Sequence, residues 1–171
     1  MATSDAVARE TAWLQTSSGD GLPYLPASAG GPWDVIAPYE QAAATRTQAT
    51  AIYVTRGRAQ QYRVANQRVR PRYPMRLELH WPVRTISPGS SSIAATEAQN
   101  FDNAIEMLRA RLTGPLGDKS HGGRFLSAAI GSRGQPDIDV EFPPDAARII
   151  RESKELRATA LYYIDDLEIN A

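Results

Sequence analysis

Met75-Arg76-Leu77-Glu78-Leu79-His80-Trp81-Pro82-Val83 is the stretch on which the fold turns. Five large apolar residues alternate with arginine, glutamate, histidine and proline, so successive side chains go to opposite faces and only one face is apolar. That is a strand with one side against a core. Upstream, Thr50-Ala51-Ile52-Tyr53-Val54-Thr55 is β-branched and aromatic, and it predicts a second strand running past Gly57 towards Val64. The polar segment between them, QYRVANQRVRPR over residues 61–72, makes the pair a hairpin with a long basic tip.

Downstream, Ser87 to Ser92 form a loop and a helix start, with Ser92 as a direct cap or Thr96 and Gln99 as a capping box. Phe101, Ile105, Leu108 and Leu112 follow at spacings of four, three and four, a single helical stripe that Gly114-Pro115 terminates. Burying those four side chains contributes about 6–12 kcal/mol before entropy is subtracted. Glu97, Asp102, Glu106, Arg109 and Arg111 are assigned to the other faces of the helix. Residues 116–124 are expected as a loop, Phe125–Ile130 as a short strand and 131–136 as a turn. Ile138, Val140 and Phe142 alternate with Asp137, Asp139 and Glu141 as a half-buried strand that Pro143-Pro144 ends. A turn or short helix at 145–153 leads to Leu156–Tyr163, apolar on both faces and therefore placed inside the sheet. The expected fold is α+β: one mixed or antiparallel sheet of about four or five strands with a long helix on one face. Its predicted core is Leu77, Leu79, Trp81, Phe101, Ile105, Leu108 and Leu112.

Residues 1–48 read differently. Ser4 or Asp5 caps a short, weakly patterned helix to about Gln15, and Pro23, Pro26, Pro32 and Pro38 oppose helix and central strand alike. Tyr24, Trp33, Val35, Ile36 and Tyr39 are too apolar for a free linker. The expectation is an extended arm over residues 1–48, lying on its own body or a neighbour's, with the main domain at 49–171.

The chain has 171 residues, enough for one domain with a core. Nineteen basic and nineteen acidic side chains balance, which weighs against a free-standing nucleic-acid binder. There are no cysteines, so disulfides, thiolate chemistry and cysteine zinc sites are excluded. The N-terminal residues carry no apolar signal region, and no apolar run approaches the roughly 18 residues that cross a bilayer, so no membrane association is expected.

Signals for chemistry are weak. GPLGDKS, residues 114–120, lacks the glycine before lysine that a phosphate loop needs and follows a helix, not a strand. His80 and His121 are too few for a metal site, and Asp137, Asp139 and Glu141 suit a solvated strand face as well as a cation. Ser132 lies in a turn without a neighbouring base. No catalytic residue, metal or cofactor is expected, and the chain is read as a non-enzyme.

Charge distribution is more informative. Residues 46–84 hold nine arginines and one acid, Glu78, a formal +8; residues 137–171 hold nine acids and four bases, a formal −5. Complementary surfaces of this kind serve pairing within a chain or between copies of it. The candidate interface residues are Arg56, Arg58, Arg63, Arg68, Arg70 and Arg72 on the basic side, with Asp137, Asp139, Asp165, Asp166 and Glu168 on the acidic side.

Five segments also resemble a known family. AIYVTRGRAQQYRVANQRVRP (51–71), YPMRLELHWPVR (73–84), TEAQNFDNAIEMLRARL (96–112), GPLGDKSHGGRFLSA (114–128) and KELRATALYYIDDLEIN (154–170) look like the tail terminator proteins of long-tailed bacteriophages. The likeness is to the lambda-type family in order and pattern, and is nearer to terminators of phages infecting actinobacteria. It implies a structural virion protein forming a hexameric ring at the tail-neck junction, assembled in the host cytoplasm. Such a ring caps the tail tube, stops its polymerisation and joins it to the head-tail connector. The partners implied are further copies of the chain, the major tail tube protein, the head-closure (stopper) protein, and genomic DNA passing through the lumen. The short first helix and the Pro-rich connection at 17–48 depart from the family pattern. Competing readings are a head-closure protein, which the long helix opposes, and a DNA-binding module built on the arginine-rich hairpin, which the neutral net charge opposes.

Overall fold

The computed structural model describes residues 5–39, 49–83, 91–114, 119–131, 133–167 and 169–170. Helix α1 (Ala6–Leu14) is followed by a short 3-10 turn at Ala27–Ala29 and strand β1 (Val35–Pro38). Then come β2 (Ala51–Arg56), β3 (Gln60–Ala65), β4 (Arg68–Pro82), α2 (Ser91–Thr113), β5 (Ser127–Ala128), β6 (Asp139–Glu141), α3 (Ala146–Ser153), β7 (Glu155–Asp165) and β8 (Ile169–Asn170). The class is α+β with one mixed sheet and a long helix, as the alternating strand and the helical stripe predict.

The main path of the sheet runs β1-β2-β4-β7-β5, with β3 and β8 also on β4 and β6 on β7. Among the described residues there are eight strands where four or five were expected, largely because long strands are interrupted. β2 pairs with β4 from Ala51↔His80 to Arg56↔Met75, and β3 resumes the same antiparallel ladder at Gln60↔Arg72, one residue out of step. The interruption at Gly57–Ala59 is therefore a bulge in one long strand. On the other side of β4, β7 ends at Asp165↔Arg72 and β8 resumes at Ile169↔Val69, again one residue out of step. β4 alone runs through without a break. The expected hairpin with a long basic tip is present as a ribbon in which β3 and β4 pair and turn at Asn66-Gln67, with β8 added on the other side of β4. β7 lies inside the sheet, as its two apolar faces predict.

Along β4, Met75, Leu77, Leu79 and Trp81 are buried, and so are Ala158, Ala160, Tyr162 and Ile164 along β7. With Phe101, Ala104, Ile105, Leu108 and Leu112 of α2 they form one core, and all seven predicted core positions lie in it. Helix α2 begins at Ser91, so Thr96 and Gln99 sit inside it and do not form a capping box. Trp81 Nε1 donates to Glu97 at 2.9 Å, tying strand to helix. The expected strand at 125–130 shrinks to Ser127–Ala128, because Phe125 turns into the core and Ala129 takes a left-handed φ of 51°.

Residues 5–39 belong to this core and do not lie over it as an arm. Val7, Leu14, Leu25 and Trp33 are fully buried. Trp33 meets Trp81 and Phe101 edge-on, with ring centroids 5.5 and 6.4 Å away, so the Pro-rich segment, sheet and helix share one aromatic cluster. β1 pairs in parallel with β2, Ile36 opposite Ile52, which makes the sheet mixed. Thr50 fixes that register: its hydroxyl donates to the Pro32 carbonyl at 2.8 Å and accepts from the Asp34 N–H at 2.9 Å. Gly31 permits the turn at 25–33, since a Cβ there would fall 2.2 Å from the Leu25 carbonyl oxygen.

Candidate interaction surface

Two groups of polar residues stand out, one buried and one exposed. The buried group holds α1 in place. Asp5 caps the helix by accepting from the Val7 N–H at 3.1 Å. Glu10, on the inner side of α1, accepts from the Tyr162 hydroxyl and lies 2.9 Å from His121 Nδ1. The other ring nitrogen of His121 is 2.9 Å from the Leu112 carbonyl, and the ring stacks on Trp13 at 3.6 Å between centroids. Glu10, His121 and Tyr162 are 0%, 1% and 3% exposed, so this network is closed to any substrate and serves as a brace.

Arg111 is also fully buried, a correction to its expected place on a solvent face of α2. Its guanidinium lies 4.4 Å over the Trp13 ring and donates to the carbonyls of Trp13 and Pro23 and to Asp20. The third clasp is Arg9, whose two terminal nitrogens donate to the two carboxylate oxygens of Asp166 and whose plane covers Phe125. Asp166, expected at an interface, is 2% exposed and committed to this pair.

Tyr162 yields a pH prediction. Burial foremost, then the nearby Glu10 charge and the hydrogen bond to it, hold its hydroxyl well above the ordinary phenol range. The unfolded chain sheds this proton near pH 10 and the folded chain does not. The contribution is therefore complete below pH 10 and is lost as pH rises beyond it. Urea midpoints measured from pH 8 to 11 should fall above pH 10, with a shallower fall in Tyr162→Phe.

The exposed group is the ribbon. Every residue of β3 is exposed, including Tyr62 at 50% and Val64 at 47%. Among the described strands β3 pairs only with β4, so its outer backbone edge carries no partner strand. Arg56, Arg58, Arg63 and Arg68 are exposed, and Arg70 and Arg72 are half-buried. Arg56 lies 5.0 Å over the Tyr73 ring and Arg72 lies 4.5 Å over Tyr163. No family model matches this chain, and no curated protein does.

Of the candidate acids, Asp165 is half-buried, accepts from the Ser127 hydroxyl at 3.1 Å and lies 3.9 Å from Arg72. The fold thus joins one predicted basic–acidic pair, Arg72 and Asp165, within the chain. Asp137, Asp139 and Glu141 are exposed, with Asp137 accepting from the Gly131 N–H at 2.7 Å. Glu168 and Ser132 lie outside the described residues, as do positions 115–118 of the rejected phosphate-loop segment. Beside β6 is a groove of about 390 Å³ walled by Pro74, Pro136, Leu161 and Tyr163, with Asp139 on its rim.

Among the described residues no three His, Asp or Glu side chains converge as metal ligands, and no helix is long and apolar enough to cross a membrane. Sequence reasoning missed Glu10, Arg9 and Asp20. The one available hint was charged residues spaced along an otherwise apolar helix; their partners are 91 to 157 residues away.

Proposed function

We propose that this chain is the subunit of a closed, hexameric ring that caps a bacteriophage tail tube, ends its growth and joins it to the head-tail connector. The observation that carries this reading is the arginine ribbon. The 15-residue strand β4 is extended beyond the core and paired there with β3, whose exposed Tyr62 and Val64, with the exposed arginines of the ribbon, do nothing for the core. An exposed apolar and charged projection of this kind suits contact between chains. The five segments that resemble tail terminators supply the kind of assembly. The work of such a protein is done by surfaces, and one heterologous contact repeated until it closes gives a ring with no free end.

The test is to mix the purified protein with tail tubes, measure mass with and without them, and image tube ends. Rings confined to one end of each tube, with tube growth arrested, are expected; bare ends, or protein scattered along the tube, would refute the proposal. A double variant Arg63→Glu/Arg68→Glu should leave stability within about 0.5 kcal/mol, since both residues are exposed. Assembly should weaken about tenfold or more, because reversed charges would face like charges. Thermal melting and sedimentation of the same samples separate the two effects.

A further inference from the structure

The groove beside β6 has the chemistry of a socket for the ribbon, and the ribbon of its own chain cannot fill it. Tyr62 pairs with Arg70, whereas the groove is walled at Pro74, Leu161 and Tyr163. Four residues of β4 separate Arg70 from Pro74, about 13 Å, and β7 lies two strands from β3, about 10 Å across the sheet. Tyr62 shares its face of the sheet with Pro74 and Tyr163 but lies more than a side-chain length from the groove of its own molecule.

We infer that the ribbon of one copy seats in the β6 groove of a second copy, Tyr62 entering between Pro74, Pro136, Leu161 and Tyr163 while the neighbouring arginines face Asp139 and Glu141. The inference rests on the ring reading for the identity of its partner. Residues 57–72 contain five arginines and no acid; residues 134–142 contain Asp137, Asp139 and Glu141 and no base. Two arginines on the β4 side of the groove are already matched, Arg72 by Asp165 and Arg76 by Glu78, which leaves Asp139 of β6 as the charge lining the groove, with Glu141 two residues on. An aromatic side chain entering an apolar groove, with opposite charges around it, is the usual anatomy of a strong contact. β3, which carries Tyr62, and β6, which carries Asp139, lie on opposite sides of β4, so each copy offers one of each. The contact is head-to-tail, the kind that closes rings.

The absence of cysteine makes this directly testable. A Val64→Cys/Gln135→Cys variant, treated with a short bismaleimide, should give a ladder of covalent multimers ending at the size of the ring; either single variant should give no ladder. Asp139→Arg should reduce the ladder about tenfold, and adding Arg68→Glu to the same chain should restore it. Assembly by mass without a ladder would overturn this contact while leaving the ring reading standing. A ladder combined with bare tube ends would leave the contact standing and remove the tail-capping reading. A chain that stays monomeric and unlinked, with and without tail tubes, would overturn the inference.

Discussion

Leu108→Asp should leave no folded protein. Leu108 is fully buried in the middle of the α2 stripe, among the residues that join helix and sheet. Truncating a buried leucine typically costs about 2–5 kcal/mol. Aspartate adds the burial of a carboxylate with no partner in an apolar site, several kcal/mol more or a large shift to its neutral form. The sum rivals the roughly 5–15 kcal/mol that holds a whole domain together. Near-ultraviolet dichroism and dispersed amide resonances should both vanish. Leu108→Ala should remain folded with a lower urea midpoint, and Arg109→Asp, at the next and exposed position, should change little. A cooperatively unfolding Leu108→Asp protein would mean that α2 is not the centre of the core.

The second large effect is expected at Arg111. Removing a buried charged partner generally costs about 3–5 kcal/mol, because the groups it satisfied stay behind. Arg111→Ala deprives two main-chain carbonyls and Asp20 of their donor and takes the guanidinium off Trp13. Asp20→Asn should cost less, since asparagine keeps an oxygen that can accept from Arg111 and the two carbonyl contacts of Arg111 remain. Urea titration of both variants would show the asymmetry. Equal losses would indicate that the ion pair matters more than the two carbonyl contacts.

These two positions also mark what could be read in advance. Leu108 was legible because burial there follows from local periodicity: Phe101, Ile105, Leu108 and Leu112 recur at the helical repeat, and 75–83 recur at the strand repeat. Arg111 was not, because its burial depends on Asp20 and Trp13, far away in sequence, and arginine by itself reads as a surface residue. Asp166 failed in the same way, being held by Arg9 at the other end of the chain. The prolines of 22–39 suggested an extended path, which holds for Val35–Pro38 but not for 25–33, where the chain turns back on itself through the 3-10 turn at Ala27–Ala29. Whether that path lies on the surface or in the core was decided by Leu25 and Trp33 finding a place in the aromatic cluster. The ribbon was legible in charge and, as far as Val64, in order; the β4 half from Arg68 and its pairing with β8 were not, since that pairing uses main-chain groups that every residue possesses.

The two bulges flanking β4 have a mechanical corollary. At Gly57–Ala59 on one side, and by the point where β8 begins on the other, the outer strands have changed step, yet β4 crosses both levels unbroken and reaches from Pro82 in the body to Arg68 at the far end. Its ladder bonds run across the strand direction, so a tug along β4 loads many of them in parallel instead of unfastening them singly. The ribbon is thus braced along one continuous strand, and under the proposed ring contact little conformational freedom would remain to be lost on docking.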